Sequence, residues 1–187
     1  MSTALLWTSA DLPALPDDGK RYEIIEGELF VSRQPHWHHQ RTCGNFYTPL
    51  DLWSRRTGLG EVIFTPGVIF TDDDDVAPDV AWVSRERLAH GLDESGHLTI
   101  APELVIEVLS WGKEHERRDR EVKLKLYSRR GVQEYWIADW RRKQIEIYRR
   151  EGLALRVIAT LLRQDTIESP LLPEFSCPVA EIFDEMV

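Results

Sequence analysis

The sequence predicts a mixed α/β sheet flanked by helices. Three observations carry the prediction. Glu103 to Leu109 and Glu134 to Ala138 are short, apolar, β-branched or aromatic runs of strand length; a helix-like stretch from Lys113 to Arg130 lies between them; and hairpin-like segments surround this strand-helix-strand unit on both sides. At 187 residues the chain is long enough for one domain with a sizeable core, spanning 1–187, and short for two.

Taken in order, Thr8 to Asp18 reads as a capped helical turn ended by Pro16 and Gly19, with Thr8 or Ser9 as the N-cap. Tyr22 to Glu26 and Leu29 to Ser32 read as a hairpin, with Gly27 supplying the permissive backbone of its turn. From His38 to about Thr57 the apolar positions Phe46, Leu50 and Trp53 recur at helical spacing up to Gly58, and Pro49 implies a kink or an early break. Glu61 to Phe64 and Gly67 to Phe70 read as strands interrupted at Pro66. Asp72 to Asp75 lacks the alternating ligands and glycine of a calcium loop, so it reads as a solvated acidic turn leading into Val76 to Val83. Ser84 caps a short helix to His90. Val122, Leu126 and Tyr127 form the inner face of the Lys113 to Arg130 helix, which Gly131 stops; Asp119 and Lys123 stand at ion-pair spacing on it. Gln144 to Tyr148 and Leu153 to Thr160 add strands, and the proline-rich tail ends in an amphipathic piece at Val179 to Phe183.

The net charge of -9 argues against a protein that coats nucleic acid. Residues 113–150 nevertheless hold 13 of the 23 basic side chains against 7 acids, a basic band that suits either a polyanion or a solvated helix face and hairpin. No run approaches the roughly 18 apolar residues of a membrane helix, and Met1 to Ala10 lacks a basic region and apolar core, so a cytoplasmic protein is expected. Cys43 and Cys177 are far apart and read as buried free thiols.

Glu107 is the residue that calls for a reason. A carboxylate inside a buried apolar strand is costly unless it is paired, protonated or bound to a metal. Asp79 similarly interrupts Val76-Ala-Pro-Asp-Val-Ala81, and adjacent strands would bring both acids to one hard divalent cation, the requirement of phosphodiester hydrolysis. The plainer alternative ends a turn at Asp79 and pairs Glu107 with an arginine. The His36-Trp-His-His39 cluster invites a zinc reading, but no cysteine or acid stands at a companion spacing.

Pro78-Asp79, Glu107-Val-Leu-Ser110, Asp119 to Lys123, Tyr127 and Gly131 to Ile137 together resemble the Uma-type putative restriction endonucleases, a bacterial branch of the PD-(D/E)XK nuclease superfamily. Tyr22 to Glu28 is similar to that branch's opening hairpin and His39 to the histidine that starts its first long helix; the resemblance covers roughly residues 8–184. It implies a restriction-endonuclease-like core with an N-terminal hairpin, and a magnesium- or manganese-dependent endonuclease acting on DNA. Asp79 and Glu107 would be its metal ligands, beside a catalytic lysine. The superfamily commonly places that lysine two residues after the acid, where this chain has Leu109; in this branch it moves to the following helix. That singles out Lys123, with Lys125 the alternative on a different face. Glu23 would complete the metal shell and His39 would position water or phosphate. A homodimer is expected, as for many small nucleases. The rival expectation is a nuclease fold that binds nucleic acid or a protein without cutting, motivated by the acidic charge and the displaced lysine. Two loops depart from the branch pattern: Ser110-Trp111-Gly112 replaces a Ser-Pro, and Asp139-Trp140 an Asp-Pro. Both bear on the substrate entrance, where Trp111 could stack on a base or cap the core.

Overall fold

The computed structural model describes residues 5–183; the ends of the expected 1–187 domain, residues 1–4 and 184–187, lie outside the described residues. A 3-10 turn at Ser9–Ala14 is capped by Thr8, whose N–H and hydroxyl both reach Asp11 Oδ2 at 2.8 Å. The hairpin β1 (Arg21–Ile25) and β2 (Glu28–Ser32) follows, and Glu26 and Gly27 at its turn take φ of 52° and 75°. That left-handed pair matches the twist of a two-residue hairpin, and glycine adopts it without a Cβ clash. Next come α1 (Trp37–Thr57), β3 (Gly60–Phe64), β4 (Val68–Thr71), β5 (Asp74–Val76), β6 (Val80–Ser84), α2 (Arg85–Leu88) and β7 (Leu104–Val108). The second long helical stretch has three parts: α3 (Lys113–Arg117), a π-helical segment Arg118–Lys123, and α4 (Leu124–Arg130). β8 (Glu134–Asp139), β9 (Gln144–Glu151), β10 (Ala154–Leu161), the short pair β11 (Thr166–Ile167) and β12 (Cys177–Pro178), and α5 (Val179–Phe183) complete the chain.

The main sheet has the order β10-β9-β8-β7-β6-β3, and β7 with β8 is its one parallel pair. The helical crossover between those two strands is what a parallel connection requires, and both are buried along their whole length, as their apolar runs imply. The expected mixed sheet flanked by helices is therefore the fold.

Two apolar clusters lie on its two faces. On one, Phe46, Leu50 and Trp53 of α1 pack with Trp82, Ile106 and Trp136, and Ile182 and Phe183 of α5 join them. On the other, Val83, Val105, Leu109 and Ile137 meet Leu126 and Tyr127 of α4, and Ile25, Val68 and Val76 of a smaller sheet of order β2-β1-β5-β4. Strand alternation puts Glu107, between Val105 and Leu109 in parity, on this second face.

One sequence expectation, the solvated acidic turn, is corrected, and two others are made more definite. α1 runs through Pro49, because the buried side chains on either side, Phe46 and Leu50, dock on the sheet and offset the proline's cost of about 3 kcal/mol. The strands on either side of Pro66 belong to different sheets. The acidic run is not a solvated turn throughout: Asp74 is fully buried, accepts Glu26 N–H at 2.8 Å and pairs with Arg129 and Arg130.

The edge strand β3 is seated closely on β6. A Cβ added at Gly60 would stand 2.3 Å from the Val83 carbonyl oxygen and 2.7 Å from the Trp82 ring, so Gly60→Ala is expected to lower stability by about 1–3 kcal/mol in urea denaturation. An unchanged midpoint would mean that β3 shifts freely.

Candidate active site

Val80 pairs with Ile106, which sets Asp79, the residue before β6, beside Glu107 and Val108 of β7. Asp79 Oδ2 accepts Val108 N–H at 2.9 Å and lies 3.2 Å from His39 Nε2, while Oδ1 accepts Arg21 Nη1 at 2.9 Å. Burial alone would raise this acid, but His39 and Arg21 hold it well below the usual carboxylate range. His39, near the start of α1, has its other ring nitrogen 3.1 Å from Gln40 Oε1. Burial opposes its protonation, yet Asp79 and the second acceptor raise its pKa above 6.5.

Glu107 faces the helical stretch. Its Oε1 accepts Lys123 Nζ at 2.7 Å and Tyr127 OH at 2.9 Å. Burial, aided by Asp79, Asp119 and Glu23, outweighs the pull of Lys123 and pushes Glu107 up to about 8. Lys123, itself fully buried, also reaches Glu23 Oε1 at 2.8 Å, and the two carboxylates keep it protonated against the effect of burial. Glu23 on β1 accepts Ala77 N–H at 3.0 Å on the same oxygen; burial raises it, and Lys123 with Arg118 brings it below its ordinary value. Its Oε2 is buried without a hydrogen-bond partner, with Arg118 Nη1 3.7 Å away.

The π-helical segment accounts for this convergence. Its widened turn brings residues five apart into line, so Arg118 and Lys123 both turn toward Glu23. The expected pairing of Asp119 with Lys123 gives way to Arg118 Nε on Asp119 Oδ1 at 3.2 Å. Lys125 points away, exposed, to Glu26 at 3.0 Å. The structure therefore brings Asp79, Glu107, Lys123, Glu23 and His39 together. Sequence reasoning passed over Arg118, considered Arg21 only as an ion-pair partner of Glu23, and placed Asp119 only beside Lys123 on the helix. Arg21 shares a strand face with Glu23 by alternation, the one signal that pointed to it.

Four carboxylates, Glu23, Asp79, Glu107 and Asp119, face three side chains that stay cationic at any ordinary pH, Arg21, Arg118 and Lys123. The carboxylate oxygens are of the hard type that a magnesium-type cation takes, and Glu23 Oε2 is orphaned. Among the described residues, however, the three ligand atoms that stand within 4.8 Å of one another are those of His39, Cys43 and Asp79, and no three of the four carboxylates come that close. Cys43 stands four residues after His39 on α1, a companion spacing that the sequence reading missed. Burial pushes its thiol well above 9, and a protonated thiol is a poor ligand. Cys43 and Cys177 are both free and buried, as expected.

Solvent reaches this cluster from the Asp79 side. A cavity of about 320 Å³ is lined by Arg21, Arg33, His39, Asp79, Ser110 and Arg118. Glu107 and Lys123 lie behind it, each at most 2% exposed. Glu134 stands apart, paired with Arg149 at 2.7 Å and with the Trp136 indole N–H at 2.9 Å.

Residues 9–180 match the model of a family described as Uma2, putative restriction endonuclease. The fold is similar to the crystal structure of a putative nuclease belonging to DUF820 from Anabaena variabilis, with a TM-score of 0.74 over 94% of this chain and 97% of that one. The two sequences are 17% identical, so this likeness speaks for the fold alone. No curated protein matches the chain. No helix among the described residues is long and apolar enough to cross a membrane. With the family match extending over nearly the whole sequence, the chain belongs to the Uma2 putative restriction endonuclease family.

Proposed function

We propose that the protein is a magnesium- or manganese-dependent endodeoxyribonuclease, with Asp79 and Glu107 as metal ligands, Lys123 assisting the nucleophile, and Glu23 and His39 in support. The observation that carries this reading is the convergence of Glu23 of β1 and Glu107 of β7 on the buried Lys123, with Asp79 at the entrance to β6 set beside Glu107, behind an arginine-lined cavity. Hydrolysis joins the oxygen of water to phosphorus, breaks one P–O ester bond and leaves a proton for the departing sugar oxygen. The bound cation would supply Lewis-acid stabilisation of the charge that grows on the phosphoryl oxygens. Arg21, Arg33 and Arg118 draw a phosphate into the cavity; His39 holds Asp79 in place and can orient water or phosphate at the cavity wall. Lys123 acts as a fixed point charge that keeps Glu107 and Glu23 in position and lowers the energy of an anionic nucleophile.

Purified protein incubated with supercoiled and linear DNA in magnesium or manganese is expected to cut, and Asp79→Asn or Glu107→Gln to reduce cleavage at least about 100-fold without unfolding the protein. Cleavage that survives in both variants overturns the assignment. One observation favours a second reading. Asp79 is fully engaged by Arg21, His39 and Val108, as a purely structural ion network would be. A wild-type protein that binds DNA yet never cuts it under any divalent ion supports that alternative. A homodimer belongs to the same proposal and is read by light scattering.

A further inference from the structure

The two loops that depart from the Uma-type pattern, far apart in sequence, meet in space. Trp111 and Trp140 have ring centroids 6.1 Å apart, and Trp140 stacks on His36 at 5.1 Å with planes only 8° apart. The Arg141 guanidinium lies 5.6 Å from the Trp111 ring centroid and 6.0 Å from that of Trp140. The two indoles are held differently. Trp140 donates its N–H to the Leu109 carbonyl at 3.1 Å and packs against the core, whereas Trp111 belongs to neither apolar cluster and is 69% exposed.

Their position gives the arrangement its meaning. Trp111, Trp140 and His36 line a groove of about 450 Å³ that shares Ser32, Arg33, His39 and Ser110 with the cavity over Asp79. An exposed indole face therefore stands at the mouth of the cluster of acids, with Arg33 in the shared wall and Arg141 over the ring. A ligand that suits this surface has a flat apolar face joined to an anionic backbone, which describes a nucleotide in a strand. Within a duplex both faces of each base are covered by their neighbours, so an indole can stack only on a base that is unpaired, frayed or turned out.

We propose that Trp111 is a stacking platform for an unpaired base of the substrate strand, which makes single-stranded or locally unpaired DNA the preferred substrate. Trp140, anchored by Leu109 and stacked on His36, is the wall that sets the angle of the Trp111 indole, and Arg141 is fixed above both by Asp139 at 3.2 Å and Glu116 at 2.7 Å. The inference rests on the nuclease reading for its substrate class, and its test is made on binding so that the two can fail separately.

The experiment measures fluorescence anisotropy of a labelled single-stranded oligonucleotide and of its blunt duplex, with full-length protein and no added metal. Wild type is expected to prefer the single strand. Trp111→Ala is expected to weaken single-strand binding about 5- to 150-fold, the range of one stacked base, and duplex binding less than about twofold, while Trp111→Phe keeps most of the affinity. Abasic sites in place of the central bases should reproduce the loss in wild type and add nothing in Trp111→Ala. Unchanged single-strand affinity in Trp111→Ala, equal losses on both DNAs, or no binding of the single strand by wild type each overturn the platform. Trp111-dependent binding without cleavage under any divalent ion overturns the nuclease reading and leaves the platform standing; cleavage of a blunt duplex unaffected by Trp111→Ala does the reverse.

Discussion

Lys123→Met is expected to destabilise the protein by about 3–5 kcal/mol in urea denaturation, the usual cost of removing one partner from a buried charge network. The ammonium sits 2.7 Å from Glu107 and 2.8 Å from Glu23, and nothing else in the cluster bridges those two acids. Glu107, already pushed up to about 8, takes a proton and keeps its bond from Tyr127. Glu23 would be left with Ala77 N–H and with Arg118 at 3.7 Å, and burial would push it up once the lysine no longer holds it down. The double variant Glu23→Gln with Lys123→Met should therefore recover a large part of the lost stability. It should not recover cleavage, which on the proposed mechanism falls at least about 100-fold with the lysine. That split separates a lysine that serves only the fold from one that also serves the reaction. A Lys123→Met protein within about 1 kcal/mol of wild type would show that the network carries little of the fold.

Trp136→Ala is expected to cost about 3–5 kcal/mol, which for a chain of this size lowers the melting temperature by roughly 6–20 °C. The indole is fully buried at the centre of β8, with the ring of Phe46 6.4 Å away. Its N–H donates to Glu134 Oε2 at 2.9 Å, and Glu134 is itself buried against Arg149. Truncation thus opens a cavity where α1 meets the sheet and strips one bond from a buried carboxylate. Trp136→Phe keeps most of the volume and should cost about half as much. A loss below about 1 kcal/mol for the alanine variant would mean that α1 collapses onto the sheet and fills the space.

The elements that were legible are those whose signals are local. Periodicity placed α1 and the Lys113 to Arg130 stretch, Gly58 and Gly131 marked their ends, and β-branched runs placed β7 and β8. Glu107 was legible as a site candidate because a charge inside an apolar strand is conspicuous. What the sequence hid is non-local. β5 is three residues long and joins β1 through the single register pair Ile24 with Asp75, so although β1, β2 and β4 were read as strands, nothing in the sequence showed that they share a sheet. Asp74 looked solvated because the arginines that bury its charge lie more than fifty residues away. The π-helical segment misled in a different way. Reading it at α-helical spacing pairs Lys123 with Asp119, whereas the wider turn aligns Lys123 with Arg118 and sends both toward Glu23. The family resemblance, not the helix pattern, singled out Lys123 ahead of Lys125; of the two, Lys123 lies inside and Lys125 at the surface.

The smaller sheet is fastened to the second helical stretch by charges at two depths. At the rim, the half-exposed Glu26 meets Lys125 and Arg129, themselves open to solvent. At the centre, Glu23 meets Lys123 where neither is exposed at all. Dissolved ions screen the outer set within a Debye length of about 8 Å at physiological salt and scarcely reach the inner one. Ionic strength therefore acts on this seam from the edge inward: concentrated salt slackens the hairpin turn at Glu26 and Gly27 while the carboxylates around Lys123 keep their spacing.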